Sequence, residues 1–196
     1  MSGPFALLAH PVWRRILIGM TAATLLLLVW LVLLNRPLMN PASPLGLWSL
    51  ATERDGYGAR TIIDNWELLR PLPAPVNNAS GIIQPSPPSP VDEAIALTQL
   101  RFVFVFVSGF TLSLACLWAG VRSGATFAGL GLSAAAWGAA LLHAAENMAL
   151  LRMLLTRNPG DGEATLASTA FAARLALTAV LLVWLYRTLR RRPAVS

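Results

Sequence analysis

The sequence predicts an all-α integral membrane protein with four transmembrane helices. Of its 196 residues, 56% are hydrophobic and only 12% are charged, whereas a soluble domain carries roughly a quarter charged residues. Four apolar segments are each long enough to cross a bilayer, which needs about 20 helical residues. They lie at 16–34, 102–121, 127–151 and 166–186. The basic residues lie at the ends of these segments and form no stripe with aromatic residues, so we expect no nucleic-acid partner.

The first span follows Arg14 and Arg15 and resembles a signal peptide at its start. Its apolar core is longer than the usual ~7–15 residues, and no small-x-small cleavage site follows it. We therefore predict an uncleaved anchor helix.

The placement of charges predicts the orientation. The N-terminal tail, the turn after the second span and the C-terminal tail contain no acid and hold seven arginines: Arg14, Arg15, Arg122, Arg187, Arg190, Arg191 and Arg192. Eight of the nine acids lie in the other two loops. The arginines of the long loop carry little weight, because long loops cross the membrane largely regardless of charge. Both termini are therefore expected in the cytoplasm.

The long extracytoplasmic loop at 36–99 has three predicted parts. PASPLGLWSLATERDGYG is predicted to be irregular because it is rich in turn residues. The next part, 59–69, repeats Ile62, Ile63, Trp66 and Leu69 at helical spacing, which predicts a short amphipathic helix lying in the membrane interface with Trp66 among the headgroups. The proline-rich segment 71–90 is predicted to be extended, as a surface linker or as a strap for a partner.

Ser89, Pro90 and Asp92 form a helix-start signal: a capping hydroxyl, a proline at the first position and an acid at the third. The sequence therefore predicts one continuous helix from about 90 to 121, whose first two turns lie beyond the hydrocarbon.

Polar residues interrupt the third span at His143, Glu146 and Asn147, which are spaced to share one helix face. In the predicted topology Arg174 of the fourth span lies at a similar depth to Glu146. Because intramembrane charges usually face the bundle and pair, we expect a Glu146–Arg174 ion pair, with Arg101 joining from the second span. The cluster is either structural, fixing the register of three helices, or functional, as a proton relay, an ion site or a cofactor pocket.

The sequence motifs of several common catalytic and metal-binding sites are absent from this sequence. The two histidines, His10 and His143, are predicted on opposite sides of the membrane, and no zinc motif, phosphate loop or catalytic triad motif appears. We therefore predict no metal site, no catalytic residue and no cofactor, although lipid is an expected ligand. Ala139 and His143 match the AxxxH arrangement of pigment-binding light-harvesting polypeptides, which leaves pigment ligation by His143 as an alternative.

The third span also carries small residues at three- and four-residue spacing, including Gly131, Ala135 and Gly138. Small residues let helix backbones approach closely. We expect this stripe to pack against a neighbouring helix of this chain or of another.

A resemblance to a known family is carried by five features: PLG at 44–46, Trp66, Arg101-Phe102, HAAENMALLRML at 143–154 and Arg174. The chain resembles a bacterial family of small four-span inner-membrane proteins. The resemblance implies a four-span fold in the bacterial inner membrane, and it implies no activity. The family pattern has acids where this chain has Arg101 and His143, and the proline-rich insert departs from it.

The expected function is a non-catalytic membrane subunit or scaffold that packs against a larger membrane protein complex, with membrane lipids as further partners. The alternative is a small carrier or ion-translocating protein that uses Glu146. A membrane enzyme acting on lipid is a third hypothesis.

Overall fold

The computed structural model describes residues 10–69 and 88–190, and these residues contain six α-helices. The helices are α1 Pro11–Leu34, α2 Leu47–Thr52, α3 Gly56–Leu68, α4 Pro90–Arg122, α5 Thr126–Thr156 and α6 Asp161–Arg190. Four of them, α1, α4, α5 and α6, are long and apolar enough to cross a membrane. The predicted all-α membrane fold is confirmed, and each long helix extends beyond its predicted span, most of all α4 at its start.

Helix α4 lies between α1 and α5, and α5 lies between α4 and α6. Two hydroxyl–hydroxyl contacts join neighbouring helices in the described part of the bundle. The Thr24 and Thr111 hydroxyls are 3.1 Å apart and link α1 to α4, and the Ser113 and Ser133 hydroxyls are 2.5 Å apart and link α4 to α5. Hydrogen bonds of this kind join membrane helices where no water competes.

The α4–α5 contact is close because small residues face each other. A Cβ added at Gly120 would lie 2.7 Å from Gly129 Cα, and one added at Gly109 would lie 2.8 Å from Ala140 Cβ. The buried stripe of α5 repeats at alternating four- and three-residue steps, at Gly129, Ser133, Ala136, Ala140 and His143. Small side chains along this stripe let the two backbones approach each other.

The small residues expected to pack lie mostly on another face of α5. A Cβ added at Gly131 would meet nothing within 4 Å, and one at Gly138 would meet only Leu177 Cδ2, at 3.8 Å. Ala135 is partly buried against the core of α4 and α6. Among the described residues of this chain, therefore, Gly131 has no tight neighbour, because the bundle packs through the other small-residue stripe of α5. The predicted packing of Gly131 against a helix of another chain stays a prediction.

Helix α4 begins as predicted. The Ser89 hydroxyl accepts from Asp92 N at 3.2 Å, and the Asp92 carboxylate accepts from Ser89 N at 3.2 Å, which completes a capping box. The helix then continues without interruption to Arg122. The predicted continuous helix is confirmed.

Residues 35–69 form a compact structure at one end of the bundle, here called the loop cap. Its core is shared with α4, α5 and α6, whose Val91, Leu150 and Ala164 are fully buried in the same cluster as Leu50 and Ile63 of the cap. The proline-rich segment predicted at 71–90 lies outside the described residues, apart from residues 88–90.

The loop cap contains a helix that the sequence did not predict, α2, in the segment expected to be irregular. The side chain of Asn35, at the end of α1, stabilises the turn before α2. Its Oδ1 accepts a hydrogen bond from Leu47 N at 2.8 Å, and its Nδ2 donates one to Leu45 O at 2.9 Å. Gly46 has a positive φ of 60°, and a Cβ there would lie 2.7 Å from the Asn35 side chain. The turn before α2 therefore needs glycine.

Helix α3 corresponds to the predicted amphipathic helix, but its apolar face contacts protein. Trp66 is fully buried, and its Nε1 donates to Leu38 O and to Ser43 Oγ, each at 3.0 Å. The prediction that Trp66 lies among lipid headgroups is wrong. The amphipathic pattern of α3 fits this environment as well, because α4 and α6 supply an apolar surface against which α3 packs.

Candidate functional site

The polar residues of α5 lie on the face that contacts α4 and α6. His143 is 5% exposed, and Glu146 and Asn147 are fully buried. Their spacing places all three side chains inside the bundle, on or beside the same stripe that packs against α4. Together with Arg101 of α4 and Arg174 of α6, they are here called the polar cluster.

Glu146 is held by two arginines from two different helices. Its Oε1 accepts a hydrogen bond from Arg101 Nη2, and its Oε2 accepts from Arg174 Nε at 2.9 Å. The ion pair predicted between Glu146 and Arg174 is present, and Arg101 joins it as expected. The single carboxylate therefore connects α4, α5 and α6.

His143 and two phenylalanines complete the surroundings of the arginines. Arg101 Nη2 lies 3.3 Å from His143 Nε2, which requires Nε2 to act as the acceptor. The His143 ring packs edge-on against Phe104, with ring centroids 5.9 Å apart, and the Arg174 guanidinium lies 5.2 Å from the centroid of Phe171. This arrangement does not favour pigment ligation, because Nε2 already faces Arg101.

Sequence analysis missed both phenylalanines. Each lies three residues from an arginine, Phe104 after Arg101 and Phe171 before Arg174. That spacing places ring and guanidinium on the same helix face, so it is the signal that could have identified them.

The charges of the polar cluster do not balance. Two arginines and one glutamate leave one excess positive charge, and among the described residues Glu146 is the sole carboxylate within 4 Å of either arginine. Arg101 Nη1 is buried without a hydrogen-bond partner in the described part of the chain. Both polar atoms of the Asn147 side chain are likewise buried and unpartnered there. The cluster therefore keeps unused hydrogen-bonding capacity within the membrane-spanning region.

A cavity of about 490 Å³ adjoins the polar cluster. Its wall includes Arg101, His143 and Arg174, and the remainder is mainly apolar, with residues from α1, α2, α4, α5 and α6. The α4 residues of the wall extend from Leu97 to Leu112, which is about 22 Å along the helix axis. The cavity is therefore elongated along the bundle, with basic side chains near one end.

Beside its two arginines and Asn147, the polar cluster holds one carboxylate, Glu146, and one imidazole, His143. In residues 10–69 and 88–190, no three His, Cys, Asp or Glu side chains come together in a way that could hold a metal ion. Both Glu146 oxygens are occupied by arginine donors. The geometry can fix three helices relative to one another and can present positive charge to the cavity.

Comparison with known proteins adds no functional assignment. The resemblance to a bacterial family of four-span proteins stays a prediction, carried by the third-span motif around Glu146. No protein-family model, no curated protein and no solved structure matches this chain.

Proposed function

We propose that the protein is a non-catalytic membrane subunit or scaffold that packs against a larger membrane protein complex. The observation that carries this proposal is the outward face of α5. Gly131 and Ala134 are exposed, and Gly138 is only partly covered. Small residues at helical spacing form the surface against which a second transmembrane helix packs closely, and here they have no tight neighbour in the described chain.

The polar cluster supports the same proposal. Its charged side chains bind one another and join α4, α5 and α6, so they stabilise a rigid unit. A carrier that uses Glu146, the alternative function, needs this carboxylate to exchange ions or protons. Such exchange is disfavoured by full burial and by two arginine donors. Flux of protons or small cations in liposomes that contain only this protein would favour the carrier instead.

The partner test uses purification in mild detergent followed by identification of co-purifying membrane proteins. We expect a stoichiometric partner with the wild-type protein and an at least about tenfold loss of it in Gly131→Leu, because the larger side chain blocks close helix approach. The intramolecular fold should persist, since a Cβ at Gly131 meets nothing within 4 Å.

The matched control is Ala176→Leu, which places the same leucine side chain at an exposed position of α6. This variant should retain the partner. Equal retention by both variants, or a wild-type protein that purifies alone, would contradict the proposal.

We also propose that the chain resides in a bacterial inner membrane with both termini in the cytoplasm, on the evidence of the arginine-rich, acid-free termini. A reporter fused after Ser196 should then be active only in the cytoplasm, and one inserted near Ser80 only outside it. The opposite pattern would overturn the argument from arginine placement.

A further inference from the structure

We propose that the cavity beside the polar cluster is a binding site for one anionic amphiphile, with its acidic head group on Arg101 and Arg174 and its acyl chain along the apolar wall. The shared ligand chemistry is an oxyanion attached to a hydrocarbon chain. A free fatty acid and an acidic phospholipid both supply it.

The head-group end of the site is defined by unused donors and unbalanced charge. Arg101 is 4% exposed, lines the cavity and keeps Nη1 without a partner among the described residues. Arg174 binds Glu146 through Nε, which leaves its outer nitrogens for a further acceptor. A buried guanidinium recognises carboxylate and phosphate oxygens through charge-assisted hydrogen bonds. An anion at this position would also cancel the excess positive charge, which is costly inside a membrane.

The remainder of the cavity suits a hydrocarbon chain. Its volume of about 490 Å³ falls within the ~300–1,000 Å³ typical of ligand pockets, which are mostly apolar with a few convergent polar groups. Leu31, Leu112 and Ala139 are among the apolar residues of the wall.

The site is accessible from the lipid. Leu28 of α1 and Leu175 of α6 both line the cavity and are 38% and 47% exposed. Both residues lie in helices that are long and apolar enough to span a membrane, so we infer that this exposed edge of the cavity faces the bilayer. An amphiphile can enter laterally without leaving the membrane.

The test measures binding to the full chain in mild detergent by native mass spectrometry. Oleate is compared with oleyl alcohol, and phosphatidylglycerol with phosphatidylcholine. We expect at least one acidic ligand to bind at least about tenfold more tightly than its neutral counterpart, since the arginines discriminate only through the charged head. The pair that shows the larger preference identifies the head group as a carboxylate or a phosphodiester. Equal binding of the acidic and neutral members of both pairs would overturn the proposal.

The location is tested by a variant that fills the cavity and leaves the polar cluster intact. Thr178 lines the cavity on α6, so Thr178→Trp should weaken binding of the preferred acid at least about tenfold. Ala179→Trp, at the adjacent exposed position outside the cavity wall, should bind as wild type does. Wild-type affinity in Thr178→Trp would place the ligand elsewhere and overturn the proposal.

Arg174→Gln tests the head-group contact. It should reduce the preference for acid over neutral ligand more than it reduces binding of the neutral ligand. If this variant does not fold, the wild-type preference and the Thr178→Trp result still decide the proposal. An unchanged acid preference in folded Arg174→Gln would contradict the assigned role of Arg174.

Discussion

Glu146→Ala is expected to destabilise the bundle by about 3–5 kcal/mol, the usual cost of removing one partner from a buried ionic group. The cost arises because Arg101 and Arg174 would both stay inside the bundle without their shared carboxylate. The measurement is the unfolding of purified protein in mixed micelles, titrated with a denaturing detergent. The control is Asp64→Ala, which removes one partner of an exposed pair with Arg60 and should cost less than about 1 kcal/mol.

The structure also predicts which further substitutions should restore the stability that Glu146→Ala loses. Replacing Glu146 and Arg174 together with leucine removes both ion pairs of Glu146 and leaves Arg101 buried and unpaired, so stability should recover only in part. Adding Arg101→Leu removes the last charge, and apolar replacement of a complete buried ionic group is often nearly neutral. We therefore expect the triple variant to be more stable than the double variant. If the Glu146→Ala variant were as stable as the Asp64→Ala variant, the polar cluster would not hold the helices together.

Trp66→Ala is the second change with a large expected effect, about 3–5 kcal/mol from the loss of a large buried aromatic side chain. The indole fills the centre of the loop cap and is fully buried. Its removal should unfold the cap before the membrane helices, which faster amide hydrogen exchange in α3 would reveal.

Two companion variants separate the contributions of the indole. Trp66→Phe keeps most of the ring but removes the N–H that donates to Leu38 O and Ser43 Oγ, so we expect a cost of about 1 kcal/mol. Trp30→Ala removes an indole that is 52% exposed on α1 and should have a small effect. If Trp66→Ala were no more costly than Trp30→Ala, α3 would not pack as described.

The four spans and the polar cluster could be predicted because the membrane imposes strong constraints. A bilayer requires about 20 apolar residues per helix, and charged residues within it are driven to face the bundle and pair. Glu146 and Arg174 lie at similar depth once the topology is known, so their contact followed from helix direction alone. The spacing of His143, Glu146 and Asn147 likewise fixed a common face.

The loop cap and the choice of packing face were not predictable by the same means. An amphipathic pattern such as that of α3 is the same whether its apolar side meets lipid or protein, so Trp66 was misplaced. Helix α5 carries small residues on two faces, and its sequence does not indicate which face α4 occupies. The cavity depends on the separation of α1 and α6, which is a property of the assembled bundle and not of any segment.

The contacts of the loop cap have a consequence for the order in which the chain assembles. Gly56 N donates to Asp161 Oδ1 at 2.7 Å, and the Thr165 hydroxyl donates to Arg54 O at 3.0 Å. Residues 54–56 are synthesised long before the start of α6, so these bonds cannot form until the last helix has been made. Until then the loop cap lacks part of the apolar core that it shares with α6, and non-local contacts of this kind form slowly. The loop cap can therefore be completed only after all four long helices are present.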